Sequence, residues 1–512
     1  MANILENMVL NISNHIVGNK NYTAEQWVQW LLMKVRAENN IKFKERIRKL
    51  IDYYEGRQLE YLEDILKKQF VDYEHLKLQP RFVNITKQII DTVAVTYKWG
   101  AQRELYNNKK KVSDKENALW QYIYESTKWE RYMRVVDKYV KLLGTTFLRP
   151  YFNTDDNKLA LDLVTPDEID IIQHPQDPTK YIAVLYARIA TDTYLIRVGE
   201  YKTNLQYIYH YWDAENYRQF LVDGTILRIE GNEEGINPYG VLPFVRFMDT
   251  MPLQGVFVDR GEDLLNAQEN INVKLTQLNY LIKMQSFSIP ILIGYNPTSD
   301  EEIVLHPGRP YVLPPTAKDE TQPDLQFRTP SPQINTLMEQ IEKEITAIAR
   351  VYGISESEFR LTGSPSSGFA LKMENLKLIE QRENALPYYE DAEEELFEVV
   401  KKVWNYHSDY LPSGHEFKGV KFDDNTKLKV TINPPIFPES PDEERSRWDW
   451  LFANKMATPV EYYMRYKGMT EEEAQKYWEK IKKWWDENEG GFGTKYKKEP
   501  PLKFPEEENP EE

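Results

Sequence analysis

Two apolar stripes, one on each side of a proline-rich segment, constrain this chain more than any other feature. Leu264, Gln268, Ile271, Leu275, Leu278 and Ile282 recur at alternating steps of three and four, as do Ile334, Leu337, Ile341, Ile345, Ile348 and Tyr352. Side chains at those steps fall along one line of a helix, so each run predicts a helix with a narrow face for helix–helix contact. Asp259 and Glu262 are spaced like a capping box ahead of the first helix. Ser331 and Pro332 cap the second, with proline at the first helical position, where its missing N–H costs nothing. Between the stripes lie Pro290, Pro297, Pro307, Pro310, Pro314, Pro315, Pro323 and Pro330, with short β runs at 289–293 and 311–313. The prediction is an antiparallel helix pair with a small, separate β module at one end.

The second striped helix is expected to end near Tyr352. A loop of small residues follows, and then a long helix from about 367 to 409. Pro387 should kink that helix, because proline removes a hydrogen bond and crowds the preceding turn. The loop holds Arg360, Leu361, Thr362, Gly363, Ser364, Pro365, Ser366 and Ser367. Pinned between rigid helices, it is built to present backbone at a set place. It feeds a helix N-terminus as a phosphate cradle does, but it lacks the preceding strand and the Lys-Ser/Thr of a nucleotide loop.

Elsewhere the periodicity alternates between helix and strand. Thr23 and Gln26 form a capping box ahead of Trp27, Trp30, Leu31 and Val35. Helical patterns also cover 43–56, 84–99 and 115–143. From 145 to 247 the pattern shifts to period two, with strands expected at 146–151, 181–189, 193–198 and 206–212, and residues 240–244 closing an antiparallel region. A further strand is expected at 427–432. Ser440 with Glu443, Thr458 with Glu461, and Thr470 with Glu473 are three successive capping boxes. They should start three short helices around an aromatic core of Trp448, Trp450, Leu451, Tyr462, Tyr477, Trp478 and Trp484. The tail from about 490 is rich in Gly, Lys, Pro and Glu and is expected to be disordered. The fold class is α+β.

Composition narrows the function. The 512 residues carry a formal net charge of −16, and the pI is about 5.2 with a mean hydropathy of −0.64. Binding driven by phosphate neutralisation favours basic surfaces, so an acidic protein that handles DNA is one that must avoid sticking to it. The absence of cysteine excludes disulfides, thiolate metal sites and cysteine nucleophiles. No signal peptide and no apolar run long enough to span a membrane are read, so an intracellular protein is expected. The histidines are scattered, with His407 and His415 the closest pair, and no metal or cofactor is expected. Asp423-Asp424 and the basic run from Lys44 to Lys49 read as solvated surface, as does Lys109 to Lys111.

The order of parts resembles the portal, or head-to-tail connector, proteins of tailed bacteriophages. The local likeness lies at Ser367-Gly-Phe-Ala-Leu-Lys372 and in the segment from Arg81 to Thr92. The resemblance implies a wing over 1–258, stem helices at 259–285 and 332–353, and a clip at 286–331. It also implies a tunnel loop at 354–367, a long kinked wing helix with a returning strand at 368–439, and a crown at 440–489. Leu264, Ile271, Leu275, Leu278, Ile341, Ile345 and Ile348 would pack the stem, and residues 360–367 would face the channel. Arg360 would either contact phosphate or pair with Glu356 or Glu358.

The resemblance further implies a non-enzymatic ring of about twelve subunits at the capsid vertex of the virion, assembled in the host cytoplasm. Its partners would be the large terminase subunit, a head-completion adaptor, and the major capsid and scaffolding proteins. Double-stranded DNA would pass through without sequence specificity, and no membrane is involved. Two other readings compete. One is a different virion or minor head protein with helical stalks. The other is a carbohydrate-active enzyme, prompted by 34 Tyr and 12 Trp in an acidic chain, which would need two carboxylates across a cleft.

Overall fold

The computed structural model describes residues 24–70, 73–76, 78–174, 176–189, 207–229, 231–285, 289–293, 324–328, 334–355, 375–435, 441–467 and 469–488. The expected elements at 193–198 and 311–313, the caps at Thr23, Ser331 and Ser440, residues 360–367 and the tail lie outside them. The chain divides into two units, residues 1–364 with 373–436, and residues 365–372 with 437–512. Each is described by itself.

The first unit opens with helices α1 (Ala24–Val35), α2 (Glu38–Glu55), α3 (Leu59–Gln69), α4 (Tyr73–Leu76) and α5 (Ile85–Val93). The helix expected over 84–99 stops at Val93, because the Thr96 N–H and hydroxyl are taken by Asp137 at 2.8 Å each. A strand that periodicity did not show follows, β1 (Ala101–Asn107), and then α6 (Asp114–Ser126) and α7 (Trp129–Leu143). The single helix expected over 115–143 is therefore two. Lys128 takes a left-handed φ of 55°, the Thr127 hydroxyl donates to the Ile123 carbonyl at 2.7 Å, and Trp129 turns into the core.

Strands β2 (Thr145–Asn153), β3 (Lys158–Val164), β4 (Ile169–His174), β5 (Asp177–Ile189), β6 (Tyr207–Asp213), β7 (Tyr217–Leu221), β8 (Ile226–Leu227) and β9 (Val245–Met248) come next. They form two antiparallel sheets, ordered β3-β2-β9 and β4-β5-β6-β7-β8. Helix α8 (Glu262–Gln285) leads to the hairpin β10 (Ile289–Ile293) and β11 (Asp324–Arg328), and α9 (Ile334–Val351) leads back. In the hairpin Ile289 faces Arg328 and Ile293 faces Asp324. Helix α10 (Leu376–His407) and β12 (Thr426–Ile432) complete the unit. β12 pairs antiparallel with β1, Leu428 opposite Leu105. The structure is α+β.

Helix α10 runs through the largest core. Leu396, Phe397, Val400, Val403 and Trp404 bury themselves among Leu119, Ile123, Met133 and Val136 from α6 and α7, and Leu428 and Val430 from β12. Among the described residues α10 follows a turn at Asn375, and the expected start at 367 lies outside them. It stays continuous through Pro387, which lies on its exposed side, where a carbonyl left without its helical partner can be hydrated. Two glycines let other elements of the unit approach closely. Gly261 has φ +93°, and a Cβ there would meet Leu50 at 2.8 Å. Gly144 has φ +80°, and a Cβ there would meet the Val258 carbonyl at 2.4 Å. Only glycine fits either position.

The second unit comprises α11 (Pro441–Ala453), α12 (Pro459–Lys467) and α13 (Glu471–Asn488). Two of the expected capping boxes are formed. The Thr458 N–H donates to Glu461 at 2.9 Å and the Glu461 N–H to the Thr458 hydroxyl at 3.4 Å. Thr470 and Glu473 repeat the pattern at 3.0 and 3.4 Å. The aromatic core is smaller than expected. Trp448 packs edge-on against Tyr462 at 5.1 Å, and Tyr463 against Tyr477 at 5.0 Å. Trp450 and Trp484 are instead exposed.

Candidate stem and its buried anchor

Helices α8 and α9 pack antiparallel. The Tyr352 hydroxyl, just past the end of α9, donates to Asp263 at the start of α8 at 3.4 Å. Midway, Lys274 meets Glu344 at 2.6 Å. Along the pair Leu264, Ile271, Ile341 and Ile348 are buried, and Leu275, Leu278, Leu337 and Ile345 pack in the same cluster. Ile282, the last residue of the first stripe, is exposed.

The stripe is not narrow, because α8 is covered on a second face. Gln268, Asn272 and Thr276 stand one helical turn apart and are all buried. Gln268 Oε1 accepts the Thr86 N–H at 2.9 Å and the Thr86 hydroxyl at 3.2 Å. Its Nε2 donates to the Val83 carbonyl and to Asn272 Oδ1, each at 2.8 Å. Asn272 Nδ2 donates to Gln58 Oε1, whose own amide donates to the Tyr53 carbonyl. The Thr276 hydroxyl accepts the Arg81 N–H at 3.0 Å and donates to the Asn272 carbonyl at 2.9 Å. Each side chain of this column is hydrogen-bonded, which is what burial of neutral polar groups demands. Its partners include the backbone of residues 81–86. Asn84 there caps α5 by accepting the Lys87 N–H and donates to the Tyr54 carbonyl. The segment from Arg81 to Thr92, noted above only for its likeness, thus includes the strap that anchors α8. The i, i+4, i+8 spacing of Gln268, Asn272 and Thr276 is the signal of this second face in the sequence.

The base of the pair is ionic. Asp249, almost fully buried, takes two parallel bonds from Arg260 at 2.9 Å each and one from Lys141 at 2.9 Å. Burial opposes its charge, but the two cations outweigh that, and the carboxyl sits below its ordinary value. These groups border an open cleft of about 630 Å³ with Glu262, Asp263, Tyr352, Gln381 and Arg382. The basic run on α2 contributes ion pairs rather than a solvated face. Lys44 meets Asp170 at 2.7 Å with both side chains mostly buried, Arg46 pairs with Asp259, and Lys49 pairs with Glu269. Asp259 therefore serves Arg46, and the first turn of α8 is closed instead by the Gly261 carbonyl accepting the Leu265 N–H.

Helix α9 ends in a Schellman turn. The Ile354 N–H reaches the Ala349 carbonyl, the Gly353 N–H reaches that of Arg350, and Gly353 takes φ +78°. Ala349 and Ile354 join the same apolar cluster. Lys377 at the start of α10 donates to the Arg350 carbonyl at 2.9 Å. The chain thus leaves α9 and re-enters α10 at one place, and residues 360–367 fall in the interval between.

The remaining candidates are structural. His407 stacks on Phe152 at 4.5 Å, and burial lowers its pKa to about 4. His415 lies 3.3 Å from the Tyr122 hydroxyl. Asp423 holds Lys110 at 2.8 Å and accepts the Asn425 N–H. Among the described residues no group of acidic and histidine side chains could hold a metal ion, and no helix is long and apolar enough to cross a membrane.

Residues 34–483 match the family model of phage portal proteins of the SPP1 Gp6-like type. The chain belongs to that phage portal family, whose members are structural proteins of the virion rather than enzymes. Among solved structures, a chain from the virion of a native gene transfer agent particle is similar at 11% identity and a TM-score of 0.41, over 75% of this chain and 90% of that one. A chain from the neck of a native gene transfer agent particle computed with C12 symmetry is similar at 12% identity and a TM-score of 0.38, over 74% and 88%. No curated protein matches the sequence.

Proposed function

We propose that copies of this chain close into a ring of about twelve at the capsid vertex, the conduit through which double-stranded DNA is packaged and later ejected. The observation that carries this reading is the antiparallel pair α8–α9 in a chain of the portal family. It has a β-hairpin at one end and the root of residues 356–374 at the other. In this reading Leu264, Ile271, Leu275, Leu278, Ile341, Ile345 and Ile348 hold the stem. The hairpin module at 286–331 is the clip that receives the large terminase subunit and then a head-completion adaptor. Residues 360–367 meet the DNA. The wing and crown meet capsid and scaffolding proteins.

The charge of −16 suits a wall that guides phosphate without holding it, since like charge keeps bound states shallow. Any Arg360–phosphate contact must be equally shallow, on the order of 1 kcal/mol in wet surroundings. Native mass spectrometry tests the ring. Chains of 60.7 kDa should give a particle near ~730 kDa for twelve copies, and only monomers or dimers across a range of salt would overturn the reading.

A further inference from the structure

Helices α7 and α10 lie against each other and carry opposite charge on the faces they turn away. The contact is fixed by Tyr389, whose hydroxyl donates to Asp137 at 2.9 Å, and by Glu393, which accepts the Trp129 indole N–H at 2.7 Å. At about 100° per residue, the outward residues of each helix stand roughly half a turn from those contacts. The two outward faces therefore point to opposite sides of the same unit.

On α10 the outward face between 380 and 398 presents Glu380, Glu383, Asp391, Glu395 and Glu398, while Arg382 turns inward and is buried and Glu394 turns to β12, where it accepts the Val430 N–H at 3.5 Å. Glu398 Oε2 meets Lys401 at 2.8 Å, and its Oε1 is buried without a hydrogen-bond partner. Beside this face runs an open cleft of about 590 Å³ with an apolar floor that includes Val241, Leu242, Phe244 and Val399, and with Lys180, Arg246 and Lys402 also in its lining. The outward side of α7, with Lys128 at its start, presents Lys128, Arg131, Arg134 and Lys138 around Val135, an exposed apolar side chain. Arg134 is loosely paired with Glu130 at 3.6 Å, and Lys138 with Asp91 at 2.6 Å. Lys128 and Arg131 have no ion-pair partner among the described residues.

We propose that the α7 face of one copy docks on the α10 face of the next, the cations against the carboxylates and Val135 over the apolar cleft. The partner is a second copy of this chain. One molecule offers one face of each sign on opposite sides, so the contact runs head to tail and repeats, as a heterologous interface must. This deepens the ring reading and rests on it. Complementary charge of this kind fixes register and excludes wrong partners more than it adds raw affinity.

The test uses the full chain in native mass spectrometry. Arg131→Glu with Arg134→Glu should raise the concentration needed for assembly at least about tenfold. Asp391→Lys with Glu395→Lys should do the same, and all four together should restore assembly. Because the chain has no cysteine, a second arm needs no background removal. Arg131→Cys is paired in turn with Glu383→Cys, Asp391→Cys and Glu395→Cys under mild oxidation. The two sites face opposite ways, so at least one pair should give a ladder of linked chains, while each single variant gives dimers at most. The cysteine arm also stands if a charge-reversed variant fails to fold. Wild-type rings with neither sensitivity to charge reversal nor a ladder from any pair overturn the docking and leave the ring reading standing. A wild-type chain that never assembles overturns the ring reading, and the docking with it.

Discussion

Helix α10 carries formal charge into its core, whereas α8 carries neutral amides and a hydroxyl. On α10, Glu393 is fully buried and takes two bonds from Arg103, at 2.7 and 3.0 Å, as well as the Trp129 indole. Arg103 also reaches Glu130 at 2.8 Å. On α8, Gln268, Asn272 and Thr276 meet mostly backbone and amide groups. An ion pair of this depth holds two long-range elements together but contributes little net stability over an apolar replacement, and it is costly only when halved. A column of three satisfied groups at one-turn spacing does something else. Sliding α8 by one turn, about 5.4 Å, would break every bond the column makes to Gln58, Arg81, Val83 and Thr86, so the column sets axial register. The opposite face of α8, against α9, is apolar with two polar links, and it sets proximity far more than register.

Halving the ion pair should give the largest effect. Glu393→Ala leaves the Trp129 N–H unpaired in the core and Arg103 with Glu130 as its remaining carboxylate, and should cost about 3–5 kcal/mol, read from guanidinium unfolding. A change near zero would mean that water reaches the site and that the two helices do not differ as described.

Asp249→Asn should follow, at roughly 2–4 kcal/mol, since Arg260 and Lys141 lose their carboxylate. Its pH dependence has a definite sign. The folded pKa of Asp249 is depressed, so its contribution is complete above the unfolded value of about 4 and is lost as pH falls through the folded value. The gap between wild type and variant in unfolding free energy should therefore close on the acid side. A gap independent of pH would assign the effect to packing alone.

The register column should come next. Gln268→Leu takes from the Thr86 N–H and from Asn272 Oδ1 the partner each has there and should cost about 1–3 kcal/mol. Amide hydrogen exchange should show Thr86 losing protection while residues in the α10 core keep theirs, and a uniform loss across both helices would remove the distinction between them. The smallest effect belongs to the uncovered side of the stem. Met338 is exposed on α9, so Met338→Ser should leave single-chain stability within ~0.5 kcal/mol. A loss of several times that in a thermal melt would mean that the face is already covered within one chain.

The elements with local causes were legible in the chain itself. The stripes of α8 and α9, the capping boxes at Thr458 and Thr470, and the period-two run of β12 each rest on neighbours within a few residues. A side chain at i, i+3 or i+4 has one set of physical consequences wherever the helix sits. The family likeness, too, was carried by the order of such parts. Tertiary structure decided what depends on distant partners. Whether 115–143 is one helix or two turned on Lys128 and on burying Trp129. The strand at Ala101–Asn107 exists because β12, over three hundred residues later, supplies its hydrogen bonds. Asp259 has the spacing of a cap, but Arg46 draws it away. Gln268 sits in an apolar stripe, yet its amide meets Thr86 and Val83 across 182 and 185 residues. A polar group's role follows from what desolvates it and what satisfies it there, and both are set by packing rather than by sequence neighbours.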